Sequence, residues 1–86
     1  MAVADLLSDP TNFAVVQLPG RAFPGVVFQG DSLASLIQDL ESAASSADAA
    51  EKEASLADVL NRLRNIQQNY ETVLDRRGIQ LPYRKS

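Results

Sequence analysis

One stretch rich in glycine and proline, residues 18–33, divides the chain into two parts of different character. It reads L-P-G-R-A-F-P-G-V-V-F-Q-G-D-S-L and holds three of the four glycines and two of the four prolines. Both residue types interrupt regular structure and promote turns. After this stretch there is no glycine before Gly78 and no proline before Pro82. The sequence therefore predicts strands and turns in the first part and helices in the second.

Two short strands are predicted on either side of Pro19 and Gly20. The runs F-A-V-V-Q-L and G-V-V-F-Q are rich in the β-branched and aromatic residues that favour strands. We interpret residues 13–29 as an antiparallel β-hairpin and residues 1–12 as a lead-in. Within the lead-in, residues 2–7 are compatible with a helical turn or with a short strand. Neither strand alternates cleanly between apolar and polar residues, so the hairpin is expected to need cover on both faces.

Two helices are predicted next, over residues 31–47 and 49–77, followed by a tail over residues 78–86. Asp31 is expected to cap the first helix, and Asp48 with Glu51 fits a capping box for the second. Gly78 suits the left-handed residue that follows a helix. The predicted fold is a single α+β domain, residues 1–86. An N-terminal β-hairpin packs on a two-helix antiparallel hairpin in the order β-β-α-α.

The second helix carries an apolar stripe at helical spacing, formed by Leu56, Val59, Leu60, Leu63, Ile66, Tyr70, Val73 and Leu74. The simplest interpretation is intramolecular core. At 1.5 Å per residue this helix would span about 40 Å, against about 25 Å for the first. The excess length and the two-faced hairpin therefore favour a second chain. We expect a homo-oligomer or a stable partner protein, joined at the strand edge or along the helix stripe.

Composition argues against catalysis. The chain contains no cysteine and no histidine, so it lacks thiolate chemistry and the commonest general base and metal ligand. Gly30-Asp31-Ser32-Leu33 spells the motif that names a family of serine esterases, but without a base the serine cannot be activated. We interpret these residues as a strand-to-helix turn. No enzyme activity, no metal and no cofactor are expected.

Charge is unevenly distributed. Residues 1–58 carry nine acids and two bases, whereas residues 59–86 carry six bases and two acids, within a net charge of −3. The overall sign argues against a nucleic-acid binder. That alternative would use the basic residues of the second part, which are Arg62, Arg64, Arg76, Arg77, Arg84 and Lys85. No signal peptide and no membrane-spanning run is recognised, so we expect a cytoplasmic protein with no membrane partner.

Exposed charged and aromatic residues are the candidates for partner binding. Arg21 and Phe23 lie in the hairpin loop, where a long side chain beside an aromatic ring suits a binding hot spot. The structural alternative for Arg21 is a salt bridge to Asp31 or Asp39. A cluster of acids on the second helix would bind a basic partner, although a solvated helix face is the plainer interpretation and a metal site fits their spacing poorly. The partner-binding candidates are Arg21, Phe23, Asp39, Glu51, Glu53 and Asp58.

The run L-P-G-R-x-F-P-G-V-V-x-Q-G-D-S-L, preceded by N-F-A-V-V, resembles a family of small uncharacterised bacterial proteins. Some of them are associated with polymorphic-toxin genes and act there as immunity proteins. The resemblance covers about residues 12–40 and transfers no site residues. It implies a non-enzymatic antitoxin that occludes a cognate effector, and the acidic residues 31–58 would suit a basic toxin. The alternative function is a homo-oligomeric structural or regulatory scaffold.

Overall fold

The computed structural model describes residues 3–85 and contains a small antiparallel sheet followed by two helices. Strand β1 spans Asp5–Leu6, β2 spans Val15–Gln17 and β3 spans Gly25–Val26. Helix α1 spans Gly30–Ser45 and helix α2 spans Ala49–Arg76. This is the α+β class that the sequence predicts, with N-terminal strands followed by two helices. Met1, Ala2 and Ser86, which belong to the predicted lead-in and tail, lie outside the described residues.

The sheet has three strands rather than two, in the order β1-β2-β3. Asp5 pairs with Gln17 across β1 and β2, and Val15 pairs with Val26 across β2 and β3. A strand therefore lies in the lead-in, where the sequence is compatible with a turn of helix as well. The strand forms because the Val15 amide donates to Ser8 Oγ and the Leu7 amide donates to the Val15 carbonyl, both at 2.8 Å.

The core lies where the sheet meets the C-terminal half of α2. Val15 and Leu74 are fully buried there, with Tyr70 and Val73 beside them. Leu7, Val26, Ile79 and Leu81 pack around this cluster. The sheet thus covers the part of α2 that extends beyond α1. The excess length of α2 is explained within the chain and does not by itself require a second one.

Helix α1 begins earlier than the sequence predicts, and its predicted cap is wrong. Gln29 is the N-cap, in an extended conformation and without a side-chain cap, and the Leu33 amide donates to its carbonyl at 2.9 Å. Asp31 instead lies in the first turn, where its carboxylate accepts from the Ser32 amide at 2.8 Å. Its negative charge still interacts favourably with the positive end of the helix dipole.

Both ends of α2 follow the prediction, except that among the described residues the Glu51 side chain does not bond back to the Asp48 amide, so only the Asp48 half of the capping box forms. The Asp48 carboxylate accepts from the amides of Ala50 and Glu51, at 3.0 and 3.1 Å. At the other end Gly78 has φ of +67°. The amides of Ile79 and Gly78 donate to the carbonyls of Leu74 and Asp75, at 2.9 and 3.1 Å. These two bonds form a Schellman motif, which turns the tail back onto the core.

Candidate protein-binding surface

Helices α1 and α2 form an antiparallel hairpin, because only residues 46–48 connect them. Ala43 of α1 and Val59 of α2 are buried along the line where the helices meet. Leu36 and Ile66 are half-buried on the same line. Side chains three or four residues apart share one side of a helix. Each helix therefore presents one flank on either side of this buried line.

One flank of the hairpin is polar. Arg62 Nη2 lies 2.7 Å from Asp39 Oδ2 across the helices, and Arg62 Nε lies 3.3 Å from Asp58 Oδ2 on its own helix. An open cleft of about 400 Å³ lies alongside, lined by Asp39, Ser42, Ala54, Ser55 and Asp58. A second cleft of about 630 Å³ continues toward the sheet past Ser32, Ser35, Asn65 and Asn69. We call this side the polar flank.

The opposite flank is apolar and exposed. It is formed by residues spaced four and then three apart on each helix: Leu33, Ile37 and Leu40 of α1, and Leu56, Leu60 and Leu63 of α2. Each leaves between 41% and 47% of its surface exposed. Since the polar positions of both helices meet on one side of the buried line, these six lie together on the other side. We call them the apolar face.

An aromatic groove of about 530 Å³ extends the apolar face toward the sheet. Leu60 and Leu63 line it together with Phe28, Tyr70 and Tyr83. The rings of Tyr70 and Tyr83 stack with centroids 6.4 Å apart. Tyr83 Oη donates to Glu71 Oε2 at 3.0 Å. Burial raises the pKa of both phenols, and the hydrogen bond to Glu71 raises the pKa of Tyr83 further. Both rings are therefore neutral hydrogen-bond donors at neutral pH.

The predicted acidic residues do not share one surface. Asp39 and Asp58 lie on the polar flank, where both contact Arg62. Glu51 is two helical turns from Asp58 on the same side of α2, about 10 Å away along the axis. Glu53 falls on the other side of the helix, beside Leu56 and Leu60. Helical periodicity separates the set because positions 51 and 53 point in nearly opposite directions.

Arg21 and Phe23 lie in the loop between β2 and β3 and are both exposed. The Arg21 amide donates to the Leu18 carbonyl at 3.3 Å, closing a turn in which Gly20 has φ of +78°. Gln17 Nε2 donates to the Arg21 carbonyl at 2.8 Å. Among residues 3–85, Arg21 makes no ion pair, so the salt bridge considered for it is not formed: Asp39 pairs with Arg62 instead.

The loop between β2 and β3 lies apart from the acidic residues. Tyr70 anchors the loop by its hydrogen bond to Pro24, and Tyr70 is twelve residues from Asp58, about 18 Å along α2. The basic residues are also dispersed. Arg62 pairs with the carboxylates of Asp39 and Asp58. Arg77 Nε donates to the Leu7 carbonyl at 3.0 Å. Lys85 Nζ lies 4.0 Å from Glu71 Oε1.

The described part of the chain holds no cluster of three or more acidic side chains placed to bind a metal ion. Within the same residues no helix has the length and apolar content to cross a membrane.

Ser32, the serine of the esterase-like motif, lies in the first turn of α1, where its amide donates to the Asp31 carboxylate.

The apolar face differs from what the sequence predicts for the stripe of α2. The helical spacing of its residues is visible in the sequence, but the simplest interpretation placed the whole stripe of α2 in the core. The structure divides that stripe. Val59, Tyr70, Val73 and Leu74 are buried, whereas Leu56, Leu60 and Leu63 are open. The open residues repeat at steps of four and three, as do Leu33, Ile37 and Leu40 on α1. Ile66, Tyr70 and Val73 repeat in the same way, so spacing alone does not separate the open positions from the buried ones.

Comparison with known proteins places the chain in a family. No curated protein matches the chain, and no solved structure does. The family model of DUF6959, described as a family of unknown function, matches residues 1–83, which is nearly all of the 86 residues. The chain therefore belongs to the DUF6959 family of unknown function.

Proposed function

We propose that this chain is a non-enzymatic protein-binding module and that the apolar face is its binding surface. The observation that carries the proposal is the exposure of six leucine and isoleucine side chains on one side of the helical hairpin. Together they expose on the order of 500 Å² of apolar surface, which is as large as the largest patch on a typical monomer. Patches of that size commonly mark interaction sites.

The shape and chemistry of the face favour a protein over a small molecule. Small-molecule sites are concave and combine apolar walls with a few convergent polar groups. The six residues of the apolar face offer neither hydrogen-bond donors nor acceptors in their side chains. They form two parallel ridges, which suits the ridge-and-groove packing of another helical element.

The free energy gained by covering the apolar face is comparable to the cost of association. At about 25 cal/mol per Å², burying some 500 Å² contributes on the order of 10 kcal/mol before the costs of association. Those costs are about 4–15 kcal/mol, so the apolar face alone supports modest affinity. Contacts from Phe28 and Tyr83 at the aromatic groove would add to it.

A photo-crosslinking amino acid tests this proposal in cells of the source organism. In one variant it replaces Leu60 on the apolar face. In a second variant, the matched control, it replaces Asn65 on the polar flank of the same helix. A discrete crosslinked product from position 60 and none from position 65 is the expected result. Absence of any product from position 60 while the protein remains folded would overturn the proposal.

As the biological role of such a module we propose an immunity-type antitoxin that occludes a toxin in the cytoplasm. This rests on the resemblance carried by residues 12–40. Two observations support an acidic capture surface: Asp39, Asp58 and Glu51 lie on the polar flank, and the only base described near the first two is Arg62. Complementary charge would accelerate the encounter with a basic toxin.

Co-expression with the neighbouring toxin gene tests that role. The wild-type chain should restore growth, and a variant combining Glu51→Gln with Asp58→Asn should restore it less well, because the encounter with a basic toxin loses its electrostatic attraction. Glu53→Gln, on the other side of α2, is the matched control and should protect like the wild type. If the neighbouring genes encode no toxic product, the antitoxin role fails and the scaffold alternative is favoured.

A further inference from the structure

We propose that the apolar face is occupied by a second copy of this chain, forming a two-fold symmetric four-helix bundle. The inference rests on the proposed function and names the partner of that same surface. The two-fold axis would run along the helical hairpin, between the two copies. Each α1 would then pack antiparallel against the partner's α2.

The spacing of the face fits this arrangement. Leu33, Ile37 and Leu40 repeat at intervals of four and three, and so do Leu56, Leu60 and Leu63. This is the pattern that lets helices pack about 20° from antiparallel with interlocking side chains. Four-helix bundles are built in this way from two such hairpins.

The heights of the apolar residues along the hairpin axis also fit the proposed dimer. Asp39 contacts Arg62 within one chain, which sets the level at which α1 and α2 face each other. At that alignment Ile37 and Leu40 lie at the same height as Leu63 and Leu60. A rotation about an axis along the hairpin keeps every residue at its own height. Ile37 and Leu40 of one copy therefore meet Leu63 and Leu60 of the other without any shift. Leu33 and Leu56 lie beyond this overlap, at opposite ends of the face.

The exposed apolar area reaches the lower limit for a specific dimer. Complete burial of the six residues would contribute on the order of 500 Å² from each copy, or about 1,000 Å² in total. Phe28, which lines the aromatic groove, is 38% exposed. Covering its ring too would extend the interface toward the area of ordinary specific complexes.

Charge at the rim of the face is self-complementary in this arrangement. Arg64 follows Leu63 on the outer side of α2, and Glu41 follows Leu40 on the outer side of α1. Among the described residues neither side chain makes an ion pair. In the proposed dimer Arg64 of each copy lies about one turn from Glu41 of the other. Side chains lean toward the N-terminus of their own helix, which brings these two together. Symmetry forms the pair twice.

Sedimentation equilibrium measures whether the protein is a dimer in solution. The wild type at about 100 μM should be a dimer, and Leu60→Glu should be a monomer because two buried charges would face the partner's apolar ridge. Asn65→Glu adds the same charge on the polar flank and should remain dimeric. Circular dichroism confirms that each variant is folded. A wild type that stays monomeric at this concentration overturns the inference.

Charge exchange tests the arrangement without touching the apolar residues. Arg64→Glu and Glu41→Arg should each weaken self-association roughly tenfold, since each replaces two attractive contacts with two repulsive ones. Mixing the two variants should restore the dimer, because the mixed dimer regains both attractive pairs. A dimer that is indifferent to both changes would overturn this geometry.

The crosslinking experiment separates failure of this inference from failure of the proposed function. A product from position 60 at twice the mass of the chain supports self-association. A product of a different mass, with a monomeric purified protein, leaves the protein-binding function standing and overturns the second copy as the occupant. Absence of any product overturns both.

Discussion

The hydroxyl of Tyr70 donates a hydrogen bond of 2.7 Å to the carbonyl oxygen of Pro24, 46 residues earlier in the chain. The bond is buried and joins the C-terminal half of α2 to the end of the loop between β2 and β3. It also holds the residue next to Phe23, one of the candidate binding residues. The position of that exposed ring therefore depends on α2.

Replacing Tyr70 with Phe should lower the free energy of unfolding by about 1–2 kcal/mol, because the buried Pro24 carbonyl loses its partner. Urea denaturation measures the change. Tyr83→Phe is the control: it removes an exposed hydrogen bond to Glu71 and should cost less than about 0.5 kcal/mol. Equal losses in both variants would contradict the role assigned to burial.

Alkaline pH should destabilise the protein through ionisation of Tyr70. Burial raises the pKa of Tyr70 above its ordinary value of 10.0. The folded state thus favours the neutral phenol. This contribution is fully present below pH 10 and is lost as pH rises through the raised folded pKa. Unfolding free energies measured at increasing pH above 10 should fall more steeply for the wild type than for Tyr70→Phe. Parallel curves would contradict the assignment.

Removing the N-cap of α2 should lower the stability of the protein. Asp48→Ala deletes the acceptor for two amides and should lower the free energy of unfolding by about 1 kcal/mol. Asp31→Ala is a matched change at the start of α1, where the carboxylate does not occupy the cap position. It should cost only a few tenths of a kcal/mol, from the helix dipole. Thermal melts followed by circular dichroism distinguish the two, and a larger loss for Asp31→Ala would be unexpected.

The end of α2 requires glycine. Gly78 has φ of +67°, a conformation that costs a residue with a Cβ atom about 1 kcal/mol. Gly78→Ala should therefore lower the melting temperature, although no atom stands within 4 Å of the added methyl group. Gly30→Ala is the control: that residue begins α1 and also has open space around it. It should be neutral or slightly stabilising.

The ion pair that joins the two helices should contribute little and should depend on salt. Asp39 and Arg62 are both partly exposed, so a double-mutant cycle with Asp39→Asn and Arg62→Met should give a coupling of about 0.2–1 kcal/mol. The coupling should shrink in 1 M salt, at which charges are screened within about 3 Å. Coupling that survives such salt unchanged would indicate an environment more buried than the structure shows.

The sequence predicts those structural features that depend only on residues close together in the chain. Asp48 and Gly78 bound α2 because capping bonds and the left-handed glycine are settled within a few residues. The cap at Asp31 is the exception, since the chain enters α1 from β3 and the extended backbone at Gln29 starts the helix sooner. Glu51, Glu53 and Asp58 are close in sequence, but the helical turn places Glu53 on the opposite side of α2 from Glu51 and Asp58.

Tertiary structure decides which apolar positions are covered. Periodicity marks Leu60 and Tyr70 as members of one stripe, and nothing local distinguishes them. The sheet packs on the C-terminal half of α2 and buries Tyr70, while α1 leaves Leu60 at the open edge of the hairpin. Burial depends on contacts between residues far apart in sequence, which local propensity does not encode. Local sequence thus determines the two helices and both ends of α2, and the exposed apolar face results from how the helices and the sheet pack together.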